Sequence, residues 1–154
     1  MKFTDGYWMT REGYQLLTPH EAADVRVADD AVTVFAAHRR LDHRGNTLNE
    51  ALTTMVFSSP MPDVIRVRLY RHIGRRRAAP SSFPLFAPDR IPVRIERTEG
   101  EVRLTSGSAS VAIGLNHPLT MTYSYEGRKL TGSGHRQTAF VRAVDGNHHF
   151  REQL

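Results

Sequence analysis

Eight histidines have an obvious chemical use: His20, His38, His43, His72, His117, His135, His148 and His149. None stands in H-E-x-x-H or in another spacing with a ligand logic, so the sequence predicts solvated or hydrogen-bonded rings and no metal site. His148 and His149 are neighbours, and neighbours on a strand point to opposite faces. Carboxylates come next, because general acid–base chemistry across one bond uses a pair about 5–9.5 Å apart. Glu96, Glu99 and Glu101 gather near one hairpin, and Asp24, Asp29 and Asp30 near another. Hairpin tips are wet, and a raised carboxyl pKa needs burial or a paired charge. Ser108 and Ser110 are expected on a strand, without a G-x-S-x-G elbow. Gly132-Ser133-Gly134 lacks the lysine and the strand–loop–helix setting of a phosphate loop, and reads as a turn. Arg71, Arg75, Arg76 and Arg77 flank His72 as a basic cluster, which a nucleic-acid module would interleave with stacking aromatics. The aromatics that follow, Phe83 and Phe86, lie in an apolar proline-rich stretch, so the cluster reads as solvated loop charge. No catalytic residue and no cofactor follow from these patterns.

The elements that would position such groups are bounded by composition. The chain has 154 residues, no cysteine and a net charge of +5. Its length fits one domain, residues 1–154, with a core of useful size. The absence of cysteine excludes disulfides, thiol chemistry and thiolate metal sites. No apolar run reaches the roughly 18 residues of a membrane-spanning helix, and Met1-Lys2-Phe3-Thr4-Asp5-Gly6 does not open a secretory signal. The expected compartment is therefore the cytoplasm. Lys2 and Lys129 are the lysines, and the rest of the 21 basic residues are arginine. Arginine suits phosphate contacts, but an overall Arg, Ala, Gly and Val bias accounts for the excess without a nucleic-acid partner.

Period two dominates the hydrophobic pattern. It runs through Val25 and Val27, Val32 and Val34, Met55 and Phe57, and Ile65, Val67 and Leu69. It continues in Ile91, Val93 and Ile95, Val102 and Leu104, Ala109, Val111 and Ile113, and Leu119, Met121, Tyr123 and Tyr125. Each run offers one apolar and one wet face, as antiparallel sheets do when one side lies on a core. Turn signals separate the runs: Asp29-Asp30, residues 59–63, Glu99-Gly100, Ser106-Gly107, Glu126-Gly127 and Asp145-Gly146. Helix periodicity is missing, apart from residues 19–24, where one turn is expected. The reading is an all-β antiparallel sandwich. Residues 74–88 contain Pro80, Pro84 and Pro88 and are expected to form a loop. Phe83, Leu85 and Phe86 make that loop a candidate docking element.

Three segments carry a resemblance. Residues 3–19 contain Asp5, Gly6 and Trp8 after Lys2; residues 48–72 contain Thr54, Phe57, Ser59 and Pro60, then Val64, Ile65, Val67 and Arg68; the chain ends in residues 148–154. In this order they resemble the beginning of glycoside hydrolase family 31 enzymes, on the α-xylosidase branch. The resemblance implies a galactose-mutarotase-like β-sandwich, here incomplete, that precedes a (β/α)8 barrel. In that family the barrel holds an Asp nucleophile and an Asp acid/base for retaining hydrolysis of α-linked glycosides. No position of this chain matches those residues, so the chain alone is expected to be inactive. The expected partners are the catalytic barrel of the same polypeptide, its carbohydrate substrate and a second copy of the chain through open sheet edges. Two other classes stay open: a carbohydrate-binding module using Tyr7, Trp8 or Tyr70, and a basic nucleic-acid-binding β-domain.

Overall fold

Alternating runs become paired strands in the computed structural model, which describes residues 4–5, 9–47, 52–71 and 91–154. In chain order the strands are β1 (Thr4–Asp5), β2 (Met9–Thr10), β3 (Gln15–Leu17), β4 (Glu21–Val27), β5 (Ala31–Ala37), β6 (Leu52–Ser58) and β7 (Arg66–Tyr70). They continue as β8 (Arg94–Arg97), β9 (Glu101–Ser106), β10 (Ala109–Gly114), β11 (Thr120–Tyr125), β12 (Arg128–Ser133), β13 (Thr138–Arg142) and β14 (His148–Glu152). A single turn of 3-10 helix spans Arg44–Thr47. No α-helix occurs among the described residues.

Two antiparallel sheets make the body: β4-β5-β6-β7, and β12-β11-β10-β9-β8. Each strand mostly pairs with its sequence neighbour, as short turns between alternating runs require. Val32, Val34, Met55 and Phe57 of the first sheet are sealed from solvent and share one core with Val102, Leu104, Val111 and Ile113 of the second. Ile65, Val67 and Leu69 of β7 and its approach pack against the same core, as do Ile95 and Tyr123. The sequence reading of a β-sandwich therefore holds, and most of its alternating positions lie in or against the core, with Val27 and Tyr125 exposed at strand ends. On one flank the Arg97 guanidinium donates to the Val25 carbonyl at 3.2 Å, tying β8 to β4 across the two layers. A smaller sheet, β14-β13-β3, buries Ala139 and Val141, and the rings of Phe140 and Phe150 meet at 5.3 Å across its ladder.

Three local expectations are corrected. Residues 19–24 do not form a helical turn: Glu21 and Ala22 pair with Ala37 and Ala36. A bulge between Ala22 and Asp24 breaks the alternation there, which is what hid the strand in the sequence. Gly132 and Ser133 are not a turn but the end of β12. The backbone explains the glycine: a Cβ at Gly132 would lie 2.5 Å from the Met121 carbonyl oxygen. Ser108 stands in the turn between β9 and β10, with Ser110 alone on β10.

Candidate functional site

Both layers have two ends, and the ends differ in chemistry. At one end three connections converge. His20 lies just before β4, His117 in the connection from β10 to β11, and His135 in the turn from β12 to β13. Ring centroids are 5.2 Å apart for His20 and His117, 5.6 Å for His20 and His135, and 5.7 Å for His117 and His135. The first pair lies nearly parallel, at 8°, and His135 stands edge-on to both.

Backbone bonds hold each ring in place. The His20 amide donates to the Ala37 carbonyl of β5 at 2.7 Å, and the His20 carbonyl accepts from the Leu119 amide at 2.6 Å. Two residues on, the Ala22 amide donates to the Leu115 carbonyl at 2.8 Å. Residues 20–22 thus stitch the four-stranded sheet to the connection that carries His117. Leu115 and Leu119 anchor that connection by burial, and the His117–Pro118 peptide within it is cis. The turn bearing His135 closes through the Gln137 amide, which donates to the Gly134 carbonyl at 3.2 Å, and through the Gly134 amide, which donates to the Gln137 side chain. Ser133 and Thr138 exchange a buried hydroxyl bond of 2.9 Å beneath it.

Electrostatics at this end favour the neutral forms of His20 and His135. Partial burial holds the His20 pKa below the usual histidine value, and His117, His135 and Arg136 push it the same way; Glu21 alone opposes them. The Glu21 carboxylate is itself occupied, accepting the Leu41 amide at 2.6 Å. His135 is also lowered, first by desolvation, then by Arg136 and His117. The Nδ1 atom of His20 is buried and has no hydrogen-bond partner. Protonation would add a charge and a donor at this atom, and that donor would be left unsatisfied. No group of three or more His, Asp or Glu among the described residues is arranged to hold a metal ion.

The opposite end is pinned by hydroxyl and carboxylate groups. Ser59 Oγ donates to the Met61 carbonyl at 2.7 Å and meets Ser106 Oγ at 2.8 Å. Asp63, with a φ of 64°, accepts the Ser108 amide on its Oδ1 at 2.5 Å. The turn between β6 and β7 is thereby fastened to the hairpin between β9 and β10.

The remaining sequence candidates are dispersed. Glu96 lies against Arg94 at 3.5 Å, Glu101 against Arg103 at 3.0 Å and Asp24 against Arg26 at 3.1 Å, all on the surface. His38 Nε2 bonds Thr53 Oγ1 at 2.8 Å. Arg71 contacts the ring of His148, and Tyr70 is half-buried on β7. The docking-loop candidates Phe83, Leu85 and Phe86 lie outside the described residues, as do Tyr7, Trp8, His72 and Arg75 to Arg77. A groove of about 360 Å³ runs between β7 and the facing sheet, lined by Ile65, Val67, Leu69, Tyr123 and Leu154. The grouping of His20, His117 and His135 was missed in the sequence. Its signal was topological: each stands beside a Pro or Gly in a connection, and the antiparallel order brings those connections to one end.

Fold and site together define an all-β sandwich with a histidine cluster at one end. Two comparisons then place it among known proteins. The chain is 33% identical over 155 aligned residues to the α-xylosidase XylQ of Lactiplantibacillus pentosus, an alignment that covers 100% of the chain and 20% of that protein. It is 26% identical over 148 residues to an α-xylosidase of Emericella nidulans, covering 92% of the chain and 19% of that protein. The family 31, α-xylosidase-like resemblance read from the sequence therefore holds along the whole chain. The chain spans about a fifth of the length of these relatives. No protein-family model matches it.

Proposed function

We propose that these 154 residues are the N-terminal, non-catalytic β-sandwich of an α-xylosidase-like glycosidase. The observation that carries this reading is a match over all or nearly all of the chain that takes up only about a fifth of each larger relative. The sandwich has the galactose-mutarotase-like shape, packs on the catalytic barrel of the same polypeptide and frames the mouth of its active site. The proline-rich segment with Phe83, Leu85 and Phe86 is its docking element. The parent enzyme removes α-linked xylosyl or glucosyl units with retention, and its reactive carboxylates lie in the barrel.

A chromogenic α-xyloside tests the division of labour. The 154-residue chain is expected to give no turnover, while a polypeptide joining it to a family 31 barrel turns the substrate over. Turnover by the short chain alone overturns the proposal.

A further inference from the structure

The histidine cluster has no part in the glycosidase reading, and its geometry carries an inference independent of it. We propose that His20, His117 and His135 form an acid-sensitive latch: neutral rings hold the start of β4, the β10–β11 connection and the β12–β13 turn together, and protonation lets this end of the sandwich open.

Three observations lead there. First, the rings come from three separate connections yet sit within 5.2–5.7 Å of one another, so any charge gained by one acts on the elements that carry the other two. Neutral imidazoles stack and meet edge to face without penalty; two imidazolium rings at such spacing repel. Second, a proton on His20 Nδ1 enters a buried position with no acceptor. Third, the surrounding charge is one-sided. His117 faces His20 from the β10–β11 connection, and His135 and Arg136 face it from the β12–β13 turn. Among the described residues, Glu21 beside it is the counter-charge that acts on it, and one of its oxygens accepts the Leu41 amide.

The sign follows from linkage. His20 and His135 hold their protons less tightly in the fold than in the unfolded chain, where histidine titrates near 6.5. The stability they contribute is present above that value and is lost as pH falls through their lowered folded values. The loss acts where the bonds from Leu119 to His20 and from Ala22 to Leu115 cross between elements, so opening begins there.

The test compares two ends of one molecule. Amide hydrogen exchange is measured on the intact 154-residue chain at pH 7.5 and pH 5, corrected for intrinsic rates. Protection at Leu119 and Ala22 is expected to fall at least tenfold on acidification, while Ser108 at the opposite end keeps its protection. An equal change at both ends, or none at Leu119 and Ala22, overturns the latch. A second arm reads thermal unfolding of the wild type, His20→Gln and His43→Gln over the same pH range. His20→Gln is expected to remove most of the acid-induced fall in Tm and His43→Gln to leave it intact. If wild type and His20→Gln fall equally, the latch is wrong. If His20→Gln does not fold, the exchange experiment decides alone.

Discussion

Single residues account for much of what this sequence builds. Phe57 is fully buried between the two sheets and is part of the segment that carries the resemblance. Phe57→Ala should cost about 3–5 kcal/mol, read as a lowered urea midpoint, because the facing side chains cannot collapse into the space. Asp63 is a smaller, sharper case. Asp63→Asn keeps an acceptor for the Ser108 amide and should be close to neutral, whereas Asp63→Ala should cost about 1 kcal/mol in the same measurement. Gly107 beside it has a φ of 57°, and a Cβ there would run into the Asp63 carboxylate. Gly107→Ala should therefore cost more than about 1 kcal/mol. Tyr123 gives a spectroscopic handle. Burial, then Glu152, pushes its hydroxyl up to about 12. The fold favours the neutral phenol, so its contribution is intact below pH 10 and is lost as pH rises toward 12. An ultraviolet titration should show a late phenolate step that Tyr123→Phe removes.

At the level of strands, the period-two pattern was readable because antiparallel neighbours need only alternate and turn. Val32, Val34, Met55, Phe57, Val102, Leu104, Val111 and Ile113 were all on the expected apolar faces, and all are core. Irregularities were not readable. The bulge near Ala22 made residues 19–24 look helical, and a second shift in pairing, between β11 and β12 after Tyr123, leaves Leu130 on the outside. Both bulged strands, β4 and β12, are edges of their sheets. The other two edges present Arg66 and Arg68 on β7, and Arg94, Glu96 and Arg97 on β8. Bulges and exposed charges are what keep bare edges from pairing with other chains. Edge-to-edge association should accordingly be weak, and light scattering across a wide concentration range should return a constant mass for the isolated chain. A concentration-dependent dimer would instead support the association through open edges expected from the sequence.

For the molecule as a whole, the histidine cluster was out of reach of sequence because its members meet only once the strands of both layers have been ordered. No spacing rule links a residue before β4 with one after β10 and one after β12. The fold class, by contrast, is a local property repeated many times, and so it survives from sequence to structure. The family resemblance survives for a related reason. Thr54, Phe57, Ser59 and Pro60 combine a buried strand with the tie from Ser59 to Ser106 across the layers, so they specify how one sheet is fastened to the other. Among the described residues, no helix is long and apolar enough to cross a membrane.

The asymmetry between the two poles has a practical corollary. Serine hydroxyls and the Asp63 carboxylate tie one pole across the layers, whereas imidazoles, which gain a repelling charge in mild acid, meet at the other. A protease active near pH 5 should then nick the backbone first around Asn116 and Pro118, and leave the hairpin at Gly107 whole.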